Sequence, residues 1–197
     1  MNVYLLNFNQ AAQKAQELIS NNEEGLLVAT ADSLAFAIGK EDKSCDRERI
    51  AKLGGTVYEG LWNGGTCVVF PEDISICLIS HEQTNFANRV LNSVHTYLKK
   101  KGLKVLRSGN DLLIYPKDAL TGYKIASFGD SWNPDGTYFE AVVHISIGTD
   151  NSIIEQVCTK PMRKTPAALK DYGINTDEML DYLQKRLPEM RIMIIKQ

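Results

Sequence analysis

Hydrophobic and polar positions follow two periods along the chain. Val3-Tyr4-Leu5-Leu6 opens a strand over residues 1–8, and Ala12, Ala15, Leu18 and Ile19 then fall on one face of a helix. Asn9 is the expected cap of that helix, and Asn21-Asn22 its expected end. Apolar runs at 26–29 and 34–38 flank Thr30-Ala31-Asp32-Ser33 and predict paired strands, followed by a polar break at 39–43. Further on, the runs at 66–70 and 74–80 read as strands.

The helix expected over 83–101 carries the clearest stripe, with Phe86, Val90, Leu91, Val94, Tyr97 and Leu98 inward. Lys99-Lys100-Lys101 suit the negative end of its dipole, and Gly102 stops it. Strand-like runs follow at 104–106, 112–115, 123–127 and 138–147. Short helices are expected at 152–158 and 165–172, and Thr176 is the expected cap of a third that ends at Pro188, before a last strand at 190–195. These elements make an α+β fold, a mostly antiparallel mixed sheet with packed helices, in one domain over residues 1–197.

Composition narrows the class. With 44% hydrophobic residues, 197 residues can bury a sizeable core, and a net charge of -2 gives no general pull toward nucleic acid or an anionic membrane. No apolar run approaches the roughly 20 residues of a spanning helix. The start of the chain lacks the pattern of a secretory signal. Cys45, Cys67, Cys77 and Cys158 are dispersed without a Cys-x-x-Cys spacing, so a reducing cytoplasm is the expected setting.

Candidate chemistry gathers around two segments. Asn110 and Asp111 offer an amide and a carboxylate that could hold a divalent cation, and Lys124 on a neighbouring strand would add charge for a nucleotide phosphate. The plainer alternative is an Asn-Asp turn and a surface lysine. Gly54, Gly55 and Gly60, with Asn63-Gly64-Gly65, mark backbone that turns tightly or approaches something closely. His81, His95 and His144 have no metal-ligand spacing and are expected to be structural or surface groups. Trp62 and Trp132 could wall an apolar ligand or simply pack. Lys160, Arg163, Lys164 and Lys170 form a local basic cluster, either a docking patch for an acidic partner or a solvated helix face.

The order of these segments resembles the biotin and lipoate protein ligases and the octanoyl transferases that share their catalytic domain. Leu34-Ala35-Phe36-Ala37-Ile38-Gly39, Leu53-Gly54-Gly55-Thr56-Val57-Tyr58, the long helix, Asn110-Asp111-Leu112-Leu113 and Lys124-Ile125-Ala126-Ser127 resemble the family's segments and follow one another in the family's order, a resemblance over roughly residues 1 to 170. The resemblance implies that ATP activates a carboxylic acid such as lipoate or octanoate, and that the acyl group passes to a lysine of a small, acidic carrier domain. It makes Lys124 the catalytic residue between carboxylate and α-phosphate, with Asn110 and Asp111 near magnesium and the phosphates. It also makes Gly54, Gly55, Val57 and Tyr58 a loop over acyl chain and phosphate. The Gly-Arg-Gly-Arg-like loop of biotin ligases is absent, so biotin is the less expected acid.

Two alternatives come with the same resemblance. Lys124-Ile125-Ala126-Ser127-Phe128-Gly129 is similar to the Lys-Val-Ala-Ser-Leu-Gly of octanoyl transferases, which implies Cys158 as a thioester-forming nucleophile without ATP. Arg49 and two glycines stand where lipoate ligases carry an arginine pair and three glycines, which implies a member that keeps the pocket as a binding or regulatory protein.

Overall fold

The computed structural model describes residues 1–39, 45–59, 66–159 and 162–190. Its larger sheet contains β1 (Asn2–Asn7), β2 (Gly25–Thr30), β6 (Ile74–Ser80), β7 (Val105–Ser108), β8 (Asp111–Ile114), β9 (Tyr123–Trp132) and β10 (Phe139–Ile145). The strand order is β1-β2-β6-β10-β9-β8-β7, parallel between β1 and β2 and antiparallel elsewhere. A smaller sheet, ordered β4-β3-β5, holds β3 (Ala35–Ile38), β4 (Thr56–Glu59) and β5 (Cys67–Val69). The helices are α1 (Phe8–Asn21), α2 (Arg47–Leu53), α3 (Phe86–Lys100), α4 (Asn151–Val157) and α5 (Thr176–Arg186). The architecture is the mixed α+β class that the two periodicities predict, and among the described residues no helix is long and apolar enough to cross a membrane.

Alternation along the central strands gives the large sheet two different faces. Ile74, Ile76 and Leu78 of β6 and Ala141, Val143 and Ile145 of β10 point toward α3 and α5, where Val90, Leu91, Val94, Leu98, Met179 and Leu183 complete the main core. Each of the larger of these side chains stabilises the fold by about 1.5 to 3 kcal/mol when fully buried. Leu27, Ala29, Cys77 and Ile79 face the other way. There the alanines of α1 (Ala11, Ala12, Ala15) let the helix lie close, and Ala35, Ala37 and Val69 bring in the small sheet.

Several expected boundaries move. Asn7, rather than Asn9, caps α1: its side chain accepts from Gln10 N–H at 2.8 Å while the Gln10 side chain accepts from Asn7 N–H at 3.2 Å. Asn175 caps α5 by accepting from Glu178 N–H, and the Thr176 hydroxyl instead donates to the Glu72 carbonyl. The runs at 26–29 and 34–38 do not pair with each other. β2 takes β1 and β6 as neighbours, whereas β3 crosses to the small sheet. A helix over 165–172 shrinks to a 3₁₀ turn at Leu169–Tyr172, because Pro166 is drawn into a bridge with Lys124. Met190 ends another 3₁₀ turn, and the rest of the expected last strand lies outside the described residues.

Candidate functional site

A cavity of about 770 Å³ lies between the two sheets, with α4 and the segment after it adding to its lining. Ser127, Glu140, Val142 and His144 line it from the large sheet, and Ala37, Cys67, Val68 and Val69 from the small one. Phe8, Ile154 and Val157 extend its apolar wall, and its charged lining holds Lys124, Arg163 and Lys164 together with Asp111, Asp130 and Glu140. Such a site suits a partly apolar molecule that also carries a charged group.

A break in strand register puts Lys124 in this cavity. Leu112 pairs with Ala126 but Leu113 pairs with Lys124, so Ile125 is an extra residue on β9. Strict alternation back from Ser127, which lines the cavity, would send Lys124 into the helix-packed core. The bulge instead buries Ile125 completely and turns Lys124 to the cavity. Its backbone is pinned on the outer side, since Lys124 N–H donates to the Thr165 carbonyl and Ala167 N–H donates to the Lys124 carbonyl, each at 2.8 Å. The ammonium itself has no ion pair or hydrogen bond among the described residues.

Asp111 also lines the cavity, with its carboxylate 2.6 Å from Lys164 Nζ. Lys164 donates as well to the carbonyl and hydroxyl of Ser108, at 3.2 Å each. Asn110 is exposed in the two-residue turn Gly109-Asn110 between β7 and β8, and its carbonyl accepts from Phe128 N–H. Magnesium finds little here: Asp111 is already matched by a cation, and among the described residues no group of three His, Cys, Asp or Glu side chains could hold a metal.

Gly54, Gly55, Val57 and Tyr58 flank the cavity without lining it. Gly55 has φ +99°, and a Cβ there would lie 2.5 Å from the Leu34 carbonyl oxygen, so glycine is required where β4 meets β3. Val57 is exposed; the Tyr58 ring packs edge-on against Phe8, and its hydroxyl donates to Asn9. Arg49 donates to the Gln156 carbonyl and pairs with Asp46, away from the cavity lining. Trp132 packs on Phe139 at the far end of β9, and Trp62, Gly60, Asn63, Gly64, Gly65 and Lys160 lie outside the described residues. The expected basic cluster divides, with Arg163 and Lys164 at the cavity and Lys170 donating to the Gly148 carbonyl.

Three cysteines reach the cavity, Cys45, Cys67 and Cys158. Cys158 follows α4 and sits across a β-bridge from Cys45. Cys77 is different: burial, reinforced by the charge of Glu140, pushes its thiol well above the ordinary value. His144, read from sequence as structural, lines the cavity with Nε2 3.4 Å from Asp73 Oδ2. Burial opposes its charging, but the adjacent Cys67 sulfur and the Asp73 carboxylate outweigh burial and raise the imidazole to about 10. Asp73, which the sequence reading passed over, is fully buried and accepts from Phe70, Ile147 and Gly148 N–H. His144 interrupting the strand expected over 138–147 is the sequence signal for this group.

No protein-family model matches the sequence, and no curated protein does. Solved structures do match by shape. A bipartite lipoate protein ligase from Thermoplasma acidophilum, described with its E2 lipoyl domain, has a TM-score of 0.71 at 18% identity, over 97% of this chain and 84% of that one. Lipoate-protein ligase A bound with ATP gives 0.69 at 18% identity, over 97% and 86%. A P. falciparum protein in complex with lipoate gives 0.70 at 14% identity, over 96% of this chain and 62% of that one. The chain therefore has the lipoate-ligase-like fold that its motif order suggested.

Proposed function

We propose that this protein is a lipoate-ligase-like enzyme that joins a carboxylic acid such as lipoate or octanoate to AMP from ATP, and then transfers the acyl group to a lysine of a small carrier domain. The observation that carries this reading is the Lys124 ammonium, without a partner among the described residues and turned by a β-bulge into a cavity lined by apolar and charged side chains. In this reading Lys124 sits between the acid's carboxylate and the α-phosphate, offsetting negative charge as the mixed anhydride forms. Arg163, and Lys164 held by Asp111, add positive charge for the phosphates. Phe8, Val68 and Val142 take the acyl chain. Gly54, Gly55, Val57 and Tyr58, with Asn110, act from outside the lining as the loop and turn that close over the ligand.

The test is release of pyrophosphate from ATP on addition of lipoate or octanoate. Lys124→Ala is expected to lower turnover about 10²- to 10³-fold, the scale of losing one preorganised charge at the reacting centre. Thermal unfolding should hardly change, because the ammonium makes no contact that the fold relies on. Wild-type turnover in the variant would sink the proposal.

A further inference from the structure

Cys45 and Cys158 are far apart in the chain but directly opposite each other in the fold, across an isolated antiparallel bridge. Cys45 stands just before α2 and Cys158 just after α4, and both line the cavity. Asp46 N–H, one residue past Cys45, donates at 2.7 Å to the Val157 carbonyl, one residue before Cys158. The hydrogen bond therefore flanks the two cysteines, which face each other as a non-hydrogen-bonded pair. In such a pair the Cα atoms lie about 4.5 Å apart and the two side chains leave the same face. Disulfides span Cα separations of about 4.4 to 6.8 Å, a range that includes this arrangement.

The surroundings hold both cysteines in place. Asp46 caps α2 by accepting from Glu48 and Arg49 N–H at 3.1 Å each, and Cys158 N–H donates to the Ile154 carbonyl at 3.0 Å. The Arg49 guanidinium reaches across to the Gln156 carbonyl at 3.0 Å. Ile50 of α2 and Val157 of α4 share a small core with Phe36 and Ile38, and Cys45 packs against it. The other two cysteines have different neighbours. Cys77 is buried beside Glu140, and Cys67 stands opposite Ala37 in the small sheet.

We propose that Cys45 and Cys158 form a reversible redox site on the cavity lining, oxidised to an intramolecular disulfide by a small disulfide such as oxidised glutathione. One thiolate of the pair attacks a sulfur of the donor, and the donor's S–S bond breaks as a mixed disulfide forms. The second thiolate then attacks the protein sulfur of that mixed disulfide and releases the other half of the donor. Two electrons pass from the cysteines to the donor, and the two cysteine protons end on the two departing thiols. Oxidation ties the end of α4 covalently to the segment entering α2. Reduction leaves these two parts of the lining held by hydrogen bonds and packing alone. The exchange needs neither ATP nor an acyl group, so it stands or falls apart from the ligase reading.

The full chain, reduced and then separated from reductant, is incubated with oxidised glutathione at a pH near the ordinary thiol value of about 8.5, alkylated, and mapped by peptide mass. The expected product is a Cys45–Cys158 cross-link that dithiothreitol reverses, with Cys77 still a thiol. In Cys45→Ser the reaction should stop at a mixed disulfide of glutathione with Cys158. The oxidised, unsubstituted protein should melt roughly 5 to 10 °C above the reduced one, because the long closed loop restricts the unfolded chain. That comparison does not depend on how any variant folds. A cross-link to Cys67, a lasting mixed disulfide on either cysteine of the unsubstituted chain, no reaction at all, or a melting temperature that does not rise would each overturn the proposal.

Discussion

Asp73 is the residue on which fold and candidate chemistry most nearly coincide. It is wholly buried, joins the turn before β6 to the end of β10, and supports His144. Asp73→Asn keeps the shape but sets an amide donor against backbone donors, and should cost about 1 to 3 kcal/mol in urea unfolding at pH 7. A loss under a few tenths of a kcal/mol would show that the clamp is not structural. The same pair predicts a pH dependence. His144 has a folded value raised to about 10, above the ordinary value near 6.5, so its contribution to stability is complete below about 6.5 and fades as pH climbs through 10. Asp73→Asn should flatten the decline in stability between pH 7 and 10. An unchanged slope would show that the charge on His144 does not depend on Asp73.

At the scale of elements, the bulge in β9 matters more than any helix. Deleting Ile125 restores regular pairing with β8 and sets Lys124 directly before the core-facing Ala126, so alternation keeps Lys124 on the cavity side while the core loses the buried Ile125 side chain. The deletion should cost about 2 to 5 kcal/mol, the scale of losing a buried isoleucine. The cost should be the same in a Lys124→Ala background, because the ammonium faces the cavity with or without the extra residue. Denaturant unfolding of the two single variants and the double variant measures this coupling. A deletion much less costly without Lys124 would show that the lysine had turned into the core.

For the whole molecule, the cavity exists because a three-stranded sheet packs against one face of a seven-stranded sheet without filling the space between them. Val142 sits on that wall, partly exposed to the cavity. Val142→Phe should raise the Kd for octanoate at least tenfold, about 1.4 kcal/mol, and leave ATP binding unchanged, since the added ring takes up space beside apolar side chains and removes no charge. Calorimetric titration of each ligand decides this. Unaltered octanoate binding would place the acyl chain elsewhere.

The sequence by itself determined the elements whose burial repeats with a local period. The stripes of α1, α3 and α5 and the apolar runs of β6 and β10 are legible because a helix or strand must hide one face, whatever it packs against. Order along the chain also singled out Lys124 and its resemblance to the lipoate ligases, a likeness that the shared shape supports at the level of fold. Tertiary structure alone decided the rest. Whether Lys124 faced core or cavity depended on one unpaired residue in the β8–β9 register, and Lys164 met Asp111 only because the chain after α4 returns across β8. Cys67, Asp73 and His144 form no motif, since their proximity comes from the pairing of β6 with β10 and the placement of the small sheet. Local patterns encode which face is apolar, whereas contacts between distant segments are set by register and topology, which no short window of sequence contains.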